Sequence, residues 1–368
     1  MKTCAIVVAA AQAASAISLA VQGRQSNYER KREVEHPTVG TIASRQGSRC
    51  GTGQGEGRCE KGYCCSKEGW CGRGYEYCSS PACQVDFSDS CDGNVRPDGP
   101  GTEDVDRRQR GSLPYGSAIY HCEKYGAIAL SYDDGPFKYT ADLLDLLKRY
   151  EAKATFFITG RNLGKGAIND PKLPWRNLIK RMVDDGHQIG SHSWSHQRLP
   201  DMSDSQLDHQ IIYNEIAIAD ILGYFPTYFR PPYSASNAKV DRRLGELGYH
   251  VTYFNLDTEG YLHDTPGDIQ VSKDIWDRNV EGKDPRTTKW LDIEHDTVYQ
   301  SVYNLTEYML KSLFRNGFKS VTVGECLGDA KENWYRSVGD GKKHVVKRFW
   351  HGVLSRMMWA TRQNGSVS

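Results

Sequence analysis

Ala127-Ile128-Ala129-Leu130-Ser131-Tyr132-Asp133-Asp134-Gly135-Pro136 is the stretch from which the larger part of this chain is read. Its first four residues form a short apolar run, the pattern of a buried strand. Gly135-Pro136 then stops the strand and turns the chain. Successive side chains on an extended segment point to opposite sides, so Asp133 and Asp134 need not share one task. One can bind a metal while the other stays free as a base. Solvated carboxylates at a strand end would look the same in isolation, so residues further along have to decide.

His192-Ser193-Trp194-Ser195-His196 spaces two imidazoles four residues apart, on one face if the segment is helical. It follows the strand-like His187-Gln188-Ile189-Gly190. Two neutral imidazoles and one carboxylate make a three-ligand site with an open position, the arrangement of a catalytic divalent metal. Arg230-Pro231-Pro232-Tyr233 comes after the strand-like Tyr228-Phe229, and Leu291-Asp292-Ile293-Glu294-His295-Asp296 ends a further strand-like run on a histidine.

This ordered set resembles the polysaccharide deacetylases of the NodB-homology type (carbohydrate esterase family 4). That family's motifs run T-F-D-D-G-P, H-[ST]-x-x-H, R-x-P-Y, D-x-x-D-W and a strand closing on L-x-H. Here they read Ser131 to Pro136, His192 to His196, Arg230 to Tyr233, Asp257 to Tyr261, and Ile293-Glu294-His295, within a resemblance spanning Pro114 to Arg336. The fourth departs from the pattern, with Gly260 where the family carries an aspartate. The resemblance implies that Asp134, His192 and His196 hold a divalent metal, zinc first, with cobalt or another divalent ion as alternatives. It further implies Asp133 as general base, Arg230 as its partner, the Tyr233 backbone N–H in the oxyanion hole, and His295 as the acid for the leaving amine. Gly260 leaves His295 without the family's supporting carboxylate, unless Asp264 or Asp296 replaces it.

The chain has 368 residues, room for one large or two modest domains. Lys and Arg total 47 against 46 acids, so no broad charge argues for nucleic acid or a firm membrane association. Lys2 followed by the Ala/Val-rich Cys4 to Val21 reads as a secretory signal peptide over residues 1–20. Residues 21–46, with the dibasic Lys31-Arg32, read as a disordered arm. Composition then shifts to a Gly-rich segment with cysteines at 50, 59, 64, 65, 71, 78, 83 and 91. So short a segment cannot bury enough apolar surface, so the cysteines read as a disulfide framework with about 105 possible pairings. Their spacing resembles the hevein-type chitin-binding module over 47–92. That resemblance implies Cys50–Cys65, Cys59–Cys71, Cys64–Cys78 and Cys83–Cys91. It also implies sugar contacts at Ser66, Trp70 and Tyr77, whose rings would stack on pyranose faces. Glu68 stands where the module usually has another aromatic residue.

Residues 93–113 are rich in Gly, Pro, Asp and Arg and read as a linker. Beyond it, strand-like runs at Ala127–Tyr132, Ala154–Thr159, His187–Gly190, Thr227–Arg230, His250–Asn255, Leu291–His295 and Ser320–Val323 alternate with helical patterns. Clear helices are expected over Thr140–Tyr150, from the capping box Ser203/Gln206 to Leu222, and over Thr297–Asn316. The alternation predicts an α/β fold, a distorted, incomplete (β/α) barrel over 114–336, with its site at the C-terminal strand ends. Cys122 and Cys326 are expected to tie its ends together. His209, His250 and His263 read as surface or core groups, and Asn304 and Asn364 as possible glycosylation sites. Residues 337–368 form a basic amphipathic tail of unknown role. The two resemblances together imply a secreted, metal-dependent chitin deacetylase of the extracellular space or fungal cell wall, acting on chitin or its oligosaccharides. A catalytically weak chitin-masking lectin, a deacetylase of another acetylated polysaccharide, and an iron oxygenase site are the alternatives. Oligomeric state is not readable.

Overall fold

The computed structural model of the chain describes residues 47–53 and 57–339. The signal peptide, the arm, Asn364 and the tail from residue 340 onward lie outside the described residues. The Cys-rich segment forms an antiparallel ribbon, β1 (Cys64–Cys65) and β2 (Cys71–Gly72), followed by one helical turn, α1 (Tyr75–Cys78). Its pairs are Cys50–Cys65, Cys59–Cys71, Cys64–Cys78 and Cys83–Cys91. Sulfur takes the place of an apolar core here: Cys50, Cys65 and Cys71 are buried together, with Phe87 against them.

The remainder alternates strand and helix. In order come β3 (Ala118–Ile119), β4 (Ala127–Asp133), α2 (Thr140–Arg149), β5 (Ala154–Ile158), α3 (Trp175–Asp184), β6 (Gln188–Ser191) and α4 (Asp204–Leu222). Then follow β7 (Tyr224–Pro226), β8 (Tyr228–Phe229), α5 (Ala238–Glu246), β9 (His250–Thr252), β10 (Leu256–Asp257) and α6 (Ile269–Val280). The segment closes with β11 (Trp290–His295), α7 (Thr306–Arg315), β12 (Lys319–Ser320), α8 (Val323–Cys326) and β13 (Tyr335–Ser337). The sheet runs β10-β11-β4-β5-β6-β8-β9-β3, and β12 pairs with the part of β4 that β5 leaves uncovered. Its pairings are parallel, and its end strands do not meet, so the curled sheet is an incomplete barrel.

Strand β4 is central, and all seven of its residues are buried, as in a parallel sheet covered on both faces. Helix α4 begins at the reciprocal Ser203/Gln206 cap and ends at Gly223, whose φ of 81° is the left-handed turn that glycine adopts without strain. The helix expected over Thr297–Asn316 differs: Ser301–Leu305 is a π-turn, and α7 starts only at Thr306. The Thr306 hydroxyl donates to the Ser301 carbonyl at 2.7 Å, competing with the helical backbone pattern there. Cys122 and Cys326 are bonded across 204 residues of sequence, a closure worth about 5 kcal/mol in the chain-entropy picture.

The stretch 93–113, expected as a linker, is instead a strap packed on the barrel. Thr102 is fully buried and donates to Glu215 of α4 at 2.6 Å; Arg107 pairs with the same carboxylate at 2.7 Å. Arg336, from β13, donates to the Asp106 carbonyl. The Cys-rich segment is docked as well. Cys64, Cys83, Val85 and Cys91 share an apolar cluster with Leu207, Ile211 and Ile216 of α4. Low hydropathy misled the reading: these side chains and backbone groups find polar partners on the barrel rather than in water.

Candidate active site

Strand register brings the site together. Parallel pairing sets His295 of β11 directly beside Asp133 of β4, and Ser191 of β6 beside Phe229 of β8, so the next residues leave the sheet at one end. The H-x-x-x-H segment is not helical. It leaves β6 as a loop in which Ser193 and His196 take left-handed backbone conformations (φ 69° and 55°), and this turn, not helical spacing, brings the imidazoles together. His196 Nε2 lies 3.1 Å and His192 Nε2 3.6 Å from Asp134 Oδ1. One ligand atom from each of the three residues falls within 4.8 Å of the others. His192 Nδ1 meets the Arg230 carbonyl at 2.6 Å, which fixes the proton on that nitrogen and turns the Nε2 lone pair inward. Burial also pushes the His192 imidazole well below its ordinary pKa, so it stays neutral, as a ligand must. The donor set and its tautomer therefore fit a divalent cation.

Asp133 is held differently. Arg230 Nη1 donates to its Oδ1 at 2.8 Å and to Ser131 Oγ at 2.8 Å, while Nη2 donates to the Tyr253 carbonyl at 2.9 Å. The guanidinium is fully buried with its Cζ 4.1 Å from the Phe157 ring centroid. Burial pushes Asp133 up to about 7, with Asp134 adding to the rise and Arg230 opposing it. Tyr233 and Ser234 are both left-handed (φ 59° and 51°), a kink that re-aims the Tyr233 backbone after Pro231-Pro232, and the Tyr233 ring packs on His196 at 4.5 Å.

Two carboxylates considered as aids to His295 also accept hydrogen bonds from other elements. Asp296 accepts from Thr140 Oγ1 at 2.5 Å, and Asp264 accepts from the Gln300 N–H. The His295 ring faces that of Tyr261 at 5.1 Å, and Tyr261 Oη donates to Asp257 at 3.0 Å. A Cβ at Gly260 would lie 2.5 Å from Ser301 Oγ and 2.7 Å from Glu294 Oε2, so an aspartate has no room there. Glu294 fills that space, receiving the Thr258 and Ser301 hydroxyls, and burial raises it to about 8.

Motif reading missed Lys165. Its buried ammonium donates to the Asp134 and Gly135 carbonyls at 2.9 Å each and to Thr159 Oγ1 at 3.0 Å, anchoring the turn that carries the metal-ligand candidate. A single lysine in a Gly-rich loop gives no signal of this. In the Cys-rich segment, Ser66 is buried, and Trp70 is half-buried with the Arg49 guanidinium 4.1 Å from its ring. Tyr77 packs its ring on Gly72, and Glu68 is exposed. His209 stacks on Tyr213 and His250 Nδ1 meets the Pro114 carbonyl, both away from the triad.

Residues 121–252 match the family described as Polysaccharide deacetylase, and residues 49–91 match Chitin recognition protein. A chitin deacetylase of Colletotrichum lindemuthianum is 38% identical over 228 residues, 62% of this chain and 90% of that protein. A chitin deacetylase of Pestalotiopsis sp is 40% identical over 233 residues, 63% of this chain and 74% of that one. The solved structure of the chitin deacetylase from Colletotrichum lindemuthianum superposes with a TM-score of 0.57 at 37% identity, covering 62% of this chain and 100% of that chain.

Proposed function

The chain belongs to the polysaccharide deacetylase family, and on that premise we propose that it hydrolyses N-acetyl groups of chitin, leaving glucosamine units and releasing acetate. Chitin is favoured over other acetylated polysaccharides by the recognition segment at 49–91. Residues 47–92 serve as the recognition unit and 114–336 as the deacetylase unit, with the strap between them. Five disulfides among the described residues support secretion. No helix among the described residues is long and apolar enough to cross a membrane.

The observation that carries this reading is a three-ligand cluster beside a second carboxylate that an arginine binds. Asp134, His192 and His196 would hold the cation, and zinc suits two imidazoles with one carboxylate. Bound there, a divalent cation would polarise the acetamide carbonyl and make a water more acidic. Asp133 takes the proton of the attacking water. The Tyr233 backbone N–H, aimed by the left-handed turn, donates to the developing oxyanion. His295, paired in register with Asp133, gives its proton to the departing amine. Acetate release from chitin oligosaccharides tests the reading: it should stop with chelator and return with zinc. Release that persists after complete metal removal contradicts it.

A further inference from the structure

Besides its packing on α4, the recognition segment touches the barrel at the two loops that follow β5 and β6. On the β6 side, Trp194 Nε1 donates to the Asp92 carbonyl at 3.1 Å and Gln197 Nε2 to the Pro81 carbonyl at 3.3 Å. Both belong to the loop that carries His192 and His196. On the β5 side, Arg161 pairs with Asp92 at 2.6 Å, and the Leu163 N–H donates to the Ser80 carbonyl at 2.9 Å. Leu163 and Gly164 are both left-handed (φ 51° and 64°), so the Ser80 bond pins a turn with little freedom of its own. Lys165, the next residue, is tied to the main chain of Asp134.

Tyr75 stands at this join. Its ring lies on the Gly164 backbone so closely that a Cβ there would overlap the ring atoms, yet the residue stays 55% exposed. Packing of the join alone would bury the residue; here more than half of it faces solvent. Tyr75 also opens α1, the turn that carries Tyr77 of the sugar-contact set, so one short element joins that set to the loop that Lys165 ties to the Asp134 turn. A fixed aromatic face, with few rotamers left to lose, is what stacking on a pyranose ring needs.

We infer that Tyr75 is a substrate-binding residue lent by the recognition segment to the catalytic cleft, so that both units hold one chitin chain and the enzyme selects chains long enough to lie on both. This rests on the reading of chitin as substrate. The test uses the full chain with its metal, a chitin disaccharide and a chitin hexasaccharide. Wild type should favour the hexasaccharide. Tyr75→Ala should lower kcat/KM on the hexasaccharide roughly tenfold, mainly through KM, and leave the disaccharide within about twofold. Tyr75→Gln, which keeps bulk on Gly164 without an aromatic face, should reproduce the loss, and Tyr75→Phe should not. Equal losses on both substrates, or an unchanged hexasaccharide rate, overturn the inference. Wild type that deacetylates neither substrate overturns the functional reading itself.

Discussion

The Cys-rich segment and the catalytic centre meet across one interface but solve opposite problems. In the former, among the described residues, the left-handed positions are Gly51, Gly53, Gly62, Gly69 and Gly74, and no other residue type adopts that backbone. Glycine makes such turns without strain, and disulfides replace the core that a short segment lacks. At the catalytic centre the left-handed residues are Asp134, Ser193, His196, Tyr233 and Ser234. Each carries a cost of order 1–3 kcal/mol, which persists only because surrounding structure determines it. The centre also buries Asp133, Arg230, Lys165, Glu294 and Asp296. Binding a sugar asks for a rigid aromatic face, whereas hydrolysis asks for charges and dipoles aimed at one point, and only the barrel core can hold that much unfavourable geometry.

Breaking the cluster should have the largest effect. His196→Ala removes one of three candidate ligands and should cost both metal retention and at least about a thousandfold in acetate release, while retention on insoluble chitin stays. Next comes the base. Arg230 lowers the pKa of Asp133, and Asp133 works only when ionised. Arg230→Met should therefore move the acid limb of the pH–rate profile to higher pH and cost about a hundredfold near neutrality, with partial recovery in alkali. An unmoved limb would separate Arg230 from the base. Trp70→Ala acts on the other side of the comparison: retention on chitin should fall about tenfold, with disaccharide turnover unchanged.

The smallest effect concerns stability. Burial raises Glu294 to about 8 and Asp296 to about 7. An acid whose folded pKa lies above its unfolded value contributes stability that is present below about pH 4 and lost as pH rises through the folded value. The metal-free protein should thus lose Tm between about pH 5 and 8. Glu294→Gln should flatten the upper part of that decline by a few degrees. A decline of unchanged slope would remove Glu294 from the account.

Much of the barrel was legible because its signals are local. Ala127–Leu130 reads as a strand by hydropathy alone, and Ser203/Gln206 with Gly223 brackets α4 from three residues. The ordered motifs likewise name the residues that register later brings together. What escaped is non-local. Nothing near Lys165 announces that its ammonium ends on the Asp134 carbonyl, and the H-x-x-x-H spacing suggested a helix where two left-handed residues make a loop. Residues 93–113 look like a linker because their partners, such as Glu215, stand more than a hundred residues away. Gly260 reads as a missing acid, and only packing shows Glu294 in the space.

The division of labour between the adjacent aspartates is the centre of this account. Bound zinc and acetate release, measured side by side in Asp133→Asn and Asp134→Asn, test it most directly. Asp133→Asn should keep its zinc and lose roughly a hundredfold to ten-thousandfold in rate, the range for a general base, whereas Asp134→Asn should lose both. Zinc loss in the first variant, or full zinc in the second, would contradict it.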